Sequence, residues 1–141
     1  MKLLVSVFAL ILLVLTIHGA LAVSVSDLNS KLSDPIFNKL PKSSNFGIKI
    51  YGVDWGDWKG GYSYSKEFGE WYSLSSDLDF VVGVKEEFLN TVLQASDLCR
   101  FGAGLPANPD MYRVLDYNWF SFVWKYKCFS ESGCIKKYCE G

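Results

Sequence analysis

Hydrophobic and polar residues change rhythm several times along this chain. From Leu3 to Ile17 the positions are almost all apolar. From Ser24 to Leu40 apolar residues are sparse. Leu28 and Leu32 share a helical face, Ser26 and Asp27 offer caps, and Pro35 interrupts any longer helix. Pro41-Lys42-Ser43-Ser44-Asn45 reads as a connecting loop. From Phe46 the period becomes two: Ile48 and Ile50 alternate with Lys49 and Tyr51, and Tyr62-Ser63-Tyr64-Ser65 alternates strictly. Gly69 to Leu74 and Leu78 to Val84 read as two further strands across the polar Ser75-Ser76-Asp77, which together predict an antiparallel meander.

Over Lys85 to Leu98 the spacing predicts a helix, with Phe88, Leu89, Val92 and Leu93 on one side and Lys85, Glu86, Asn90 and Asp97 elsewhere. A strand running on from the β-prone Phe80-Val81-Val82-Gly83-Val84 is the rival reading. Phe101 to Pro109 holds two glycines and two prolines and reads as loop, and Pro109 to Leu115 as one or two helical turns. From Tyr117 to Cys128, Phe120, Phe122, Trp124 and Tyr126 alternate with Ser121, Val123, Lys125 and Lys127. That parity predicts a strand with Trp124 in the core and Trp119 on the surface. The fold class is therefore α+β: a strand-dominated antiparallel sheet of about 4–5 strands with one packed helix near 85–98.

The apolar opening carries a Lys2 head and ends in Ala20-Leu21-Ala22. Head, length and small-residue site together predict a secretory signal peptide over residues 1–22, cleaved after Ala22. The run from Leu3 to Ile17 is short of the roughly 20 residues that a membrane span needs. No later stretch reads as a span or a lipid anchor, so residues 23–141 are expected as a single secreted, disulfide-stabilised domain without a stable membrane anchor.

Charge narrows the partners. The chain holds 14 Lys and Arg against 15 Asp and Glu, a formal net charge of −1. A nucleic-acid binder would show a basic footprint, so nucleic acid is not an expected partner. The four cysteines, Cys99, Cys128, Cys134 and Cys139, point in an exported chain to two disulfides rather than to zinc. Three pairings are open; a Cys128–Cys134 turn with Cys99–Cys139 tying the tail to the middle is slightly preferred.

The single histidine, His18, lies in the leader. Its loss removes the usual general base, histidine-assisted nucleophiles and histidine metal sites from the mature chain. Neither a cofactor nor a metal is expected. Glycoside hydrolysis survives because it needs only two carboxylates. Asp54 with Asp57, Glu67 with Glu70 and Asp77 with Asp79 are the candidate pairs, and of these Asp77, Asp79, Asp54 and Asp57 are also the candidates for calcium.

The stretch Gly52-Val53-Asp54-Trp55-Gly56-Asp57-Trp58-Lys59-Gly60-Gly61-Tyr62 reads as a bulged turn rich in glycine. Outward-facing Trp55 and Trp58 beside Asp54 and Asp57, extended by Tyr62, would stack on a sugar ring or anchor a protein interface. The opposing reading folds Trp55 back as a plug while glycine lets the chain pass beneath it. Asp79-Phe80-Val81-Val82-Gly83 resembles the Gln-x-Val-x-Gly hairpin loop of the secreted type 2 cystatins with its glutamine replaced. That resemblance implies protease inhibition through a hairpin edge; a long N-terminal helix, a Pro-Trp pair and the family's cysteine intervals are missing. The expectation is a non-enzymatic secreted binding or effector protein for an extracellular glycan or protein, with ligand-binding Trp55, Trp58, Asp54, Asp57 and Tyr62. A small carboxylate-based glycoside hydrolase, a cystatin-like inhibitor and a membrane-active toxin are the alternatives.

Overall fold

The computed structural model describes residues 6–7, 23–104, 108–127 and 138–139. Two short helices lead in: α1 (Val25–Asn29) and α2 (Ile36–Lys39). Ser24, rather than Ser26 or Asp27, is the N-cap of α1, in a capping box where Ser24 and Asp27 satisfy each other's backbone N–H groups. Five strands follow: β1 (Asn45–Tyr51), β2 (Trp58–Ser65), β3 (Glu70–Ser73), β4 (Phe80–Lys85) and, after helices α3 (Glu86–Gln94) and α4 (Leu98–Ala103), β5 (Tyr112–Tyr117).

The strand order is β3-β2-β1-β4-β5. The expected meander exists as β1-β2-β3, but β4 pairs with β1 in parallel, so the sheet is mixed rather than antiparallel throughout. A parallel pair needs a crossover, and the segment after β3 supplies it. It runs over one face of the sheet, where glycine lets it come close. A Cβ added at Gly47 would stand 2.7 Å from Leu78 Cδ1, and one at Gly61 would stand 3.0 Å from Leu74 Cδ2. The fully buried Ser63 accepts the Ser75 N–H at 2.9 Å and fixes the crossing.

The other face carries the core. One register row runs Trp71, Tyr64, Phe46, Phe80 across four strands. Phe46 stacks on Phe80 at 4.9 Å and meets Tyr64 and Trp71 at 5.2 and 5.7 Å. Leu28 of α1 and Leu89 of α3 close over this face with Ile50 and Val84. The predicted helix is therefore present but shorter, because Lys85 completes β4 and the helix ends at Gln94.

The end of the chain departs most from its periodicity. Tyr112–Tyr117 is a strand where helical turns were expected, and Phe101–Ala103 is helical where loop was expected. The long strand predicted from Tyr117 does not form. The Asn118 side-chain oxygen Oδ1 accepts the N–H groups of Phe120 and Ser121 at 3.1 and 3.3 Å, and the chain winds into a π-helical turn over Ser121–Lys125. Parity therefore has no meaning there, and Trp124, expected in the core, is 64% exposed, beside Trp119 at 63%. Tyr126 returns to the interior. Cys99 and Cys139 form a disulfide with Cα atoms 5.2 Å apart, so one of the two expected bridges is seen; Cys128 and Cys134 lie outside the described residues.

Candidate functional site

The glycine-rich turn between β1 and β2 is built by its acids. Asp54 accepts the Gly56 N–H at 2.9 Å, and Gly52 N–H bonds the Asp57 carbonyl at 2.8 Å. The register shifts between Ile50, opposite Gly60, and Tyr51, opposite Trp58, leaving Lys59 as the extra residue of a bulge. Asp57 and Lys59 form an ion pair at 3.3 Å, half-exposed and worth at most about 1 kcal/mol.

The two tryptophans of this turn part company. Trp55 is half-buried, edge-on to Tyr51 at 5.1 Å. The Arg113 guanidinium lies 4.1 Å and the Lys85 ammonium 5.4 Å from its ring centre. Its ring is held by these cations and by an aromatic edge. Trp58 pairs with Tyr51 in the ladder and is 61% exposed.

Beside this turn a groove of about 980 Å³ opens, bounded by the bulge, Tyr62 of β2 and the polar face of α3. Ile50, Val53 and Met111 give it apolar walls; Asp57, Glu86, Glu87, Asn90, Thr91 and Gln94 give it carboxylates, amides and a hydroxyl. The Tyr62 hydroxyl donates to the Val23 carbonyl at 3.2 Å, which fixes the ring against the wall. Of the five residues expected to bind, Asp57 and Tyr62 line the groove, Asp54 is spent on the turn, and Trp55 and Trp58 lie outside the lining. The α3 residues escaped sequence reasoning. Glu86, Glu87, Asn90, Thr91 and Gln94 recur at helical spacing, a signal that reads equally as a solvated helix face.

The other expected carboxylate pairs lie outside the groove lining. Glu67 and Glu70 are exposed around the turn into β3. Asp77 sits exposed at φ 58°, while the Asp79 carboxylate accepts from Lys125 Nζ at 2.8 Å, the Tyr126 hydroxyl at 2.6 Å and Asn45 N–H at 3.1 Å. Burial, reinforced by Asp79, pushes the Tyr126 phenol far above its usual range. This cluster ties the C-terminal turn to the sheet. The segment that resembles a cystatin loop is β4 itself, paired on both sides by β1 and β5, so it presents no hairpin edge.

Among the described residues no three or more His, Cys, Asp or Glu side chains gather where a metal ion would be held. Among the same residues, no helix is long and apolar enough to cross a membrane. Compared with family models, curated proteins and solved structures, the chain matches none.

Proposed function

We propose that the chain is a non-enzymatic secreted binding protein that takes an extracellular glycan into the groove between the β1–β2 turn and α3. The carrying observation is concavity lined by the right mixture. Sugars offer hydroxyl groups at their edges and C–H surfaces on their faces. Asn90, Gln94, Thr91 and the carboxylates answer the first, and Tyr62 with Ile50, Val53 and Met111 answers the second. The volume lies near the upper end of the usual 300–1,000 Å³ for ligand pockets, which suits an oligosaccharide. Export through the Lys2–Ala22 leader brings the protein to such partners.

Calorimetric titration of the secreted protein against a panel of neutral and acidic oligosaccharides tests the reading. Asn90→Ala and Gln94→Ala should each weaken capture about tenfold, near 1.4 kcal/mol, with the thermal midpoint unchanged. Absence of binding across the panel, or full affinity in the double variant, contradicts it.

A second reading has one observation in its favour: three carboxylates, Asp57, Glu86 and Glu87, share the groove. A glycoside hydrolase needs two. Turnover of a panel member that Glu86→Gln or Glu87→Gln abolishes would replace capture by hydrolysis.

A further inference from the structure

The charges and donors of the groove narrow its ligand further. Both lysines in the described lining are engaged, Lys59 by Asp57 at 3.3 Å and Lys85 over the Trp55 ring at 5.4 Å. Glu86 and Glu87 have no ion pair among the described residues. An anionic sugar would therefore meet like charge there, with no idle cation to offset it. Side-chain donors are scarcer still on the α3 side. Thr91 donates its hydroxyl to the Glu87 carbonyl at 3.1 Å, and carboxylates only accept. That leaves the carboxamides of Asn90 and Gln94, each of which sets donors beside an acceptor. Four residues apart on one helix, their Cβ atoms stand about 5–6 Å from each other. Helix α3 runs from Glu86 to Gln94, so the polar row it lends the groove is about 12 Å long.

We propose that the groove selects a neutral oligosaccharide bearing acetamido groups, laid along α3 with one acetamido held between Asn90 and Gln94. This rests on the groove being the glycan site. An acetamido group offers a carbonyl acceptor, an N–H donor and a methyl. One carboxamide donates to its carbonyl oxygen and the other accepts its N–H. A plain hydroxyl at the same ring position presents a single oxygen and cannot span the two carboxamides. The methyl meets the apolar wall, where Met111 is half-buried and Val53 is 89% exposed. Glu86 and Glu87, at the other end of the row, accept hydroxyl groups of an adjoining ring. A row of that length spans about two to three pyranose rings, so a single sugar leaves part of it unused.

Calorimetry with defined oligomers separates the parts of this claim. The β1,4-linked N-acetylglucosamine trimer should bind about tenfold or more tightly than the glucose trimer of the same linkage, which carries hydroxyls in place of the acetamido groups. Equal affinities overturn the acetamido preference and leave the glycan reading standing. In Asn90→Ala/Gln94→Ala the two trimers should come within about twofold of each other, with the thermal midpoint kept. A preference that survives this double variant overturns the assignment to the two carboxamides. Gln94→Glu keeps the side chain's shape on an exposed helix position and removes its donors. It should cut the preference about threefold or more, and an unchanged ratio counts against the proposal in the same way. N-acetylglucosamine itself should bind about tenfold or more weakly than its trimer; equal affinity overturns the placement along α3. A galacturonic acid trimer that binds more tightly than the N-acetylglucosamine trimer overturns the preference for a neutral ligand. Silence from every oligomer removes the glycan reading, and this inference with it.

Discussion

The groove end of the molecule and its C-terminal turn invert what their sequences advertise. The turn from Asn118 to Tyr126 concentrates aromatic residues, and Trp119, Phe120 and Trp124 stand on the surface with Phe120 and Trp124 5.9 Å apart. Around the groove Tyr62 is the one ring in the wall among the described residues, set among ordinary polar side chains of a helix. The groove is nonetheless the stronger candidate, because polar groups converge there on a concave surface. Aromatic density marks exposed surface or core according to the backbone beneath it; concavity needs two elements to meet.

The largest test of this contrast cuts the C-terminal turn loose. Asp79→Leu leaves Lys125, the Tyr126 hydroxyl and the Asn45 N–H without their shared acceptor, in a cluster whose charged side chains are 24% and 12% exposed. The expected loss is about 3 kcal/mol in chemical denaturation, with oligosaccharide affinity retained. Loss of affinity in proportion to stability would show that the two ends are one unit.

Next in size is Trp55→Ala, expected to cost about 1–2 kcal/mol through the Tyr51 edge and the Arg113 and Lys85 contacts. By contrast Trp58→Ala and Trp124→Ser should each stay within about 0.5 kcal/mol, since both rings face solvent. Equal costs for Trp55 and Trp58 would restore the pair to a common role.

These differences explain what could be read in advance. Alternation of Ile48 and Ile50, and of Tyr62 and Tyr64, was enough to locate β1 and β2, but the wet face it implied is absent, because Gly47 and Ser63 on the opposite face are buried under the segment after β3. Helix α3 was legible from Phe88, Leu89 and Leu93, which pack on the core. The same alternation misled at Phe120 to Tyr126, where the Asn118 side chain offers the backbone a turn before any ladder forms. The parallel pairing of β4 with β1 was not legible either, since alternation fixes faces and says nothing of direction. Half of the groove was hidden for a related reason: nothing in Glu86, Asn90 or Gln94 tells a solvated helix face from a binding one until the β1–β2 turn stands opposite.

Alkaline pH gives a gentler probe of the C-terminal anchor. Burial and Asp79 raise the Tyr126 phenol above the ordinary 10, and burial raises Tyr64 and Tyr138 in the same direction. Above about pH 10 the unfolded chain loses protons that the folded chain keeps, so stability is full below that point and declines as pH climbs. Tyr126→Phe should flatten the decline, followed by denaturant titrations between pH 8 and about 11. An unchanged slope would remove Tyr126 from the account.

The most direct test follows ¹H–¹⁵N NMR signals of the protein during titration with an oligosaccharide that binds it. The account predicts that the side-chain amides of Asn90 and Gln94 and the backbone signals of Lys59 and Tyr62 move together and saturate, while the indole signals of Trp119 and Trp124 stay fixed. Saturating shifts confined to Trp119 and Trp124, with α3 silent, would contradict it.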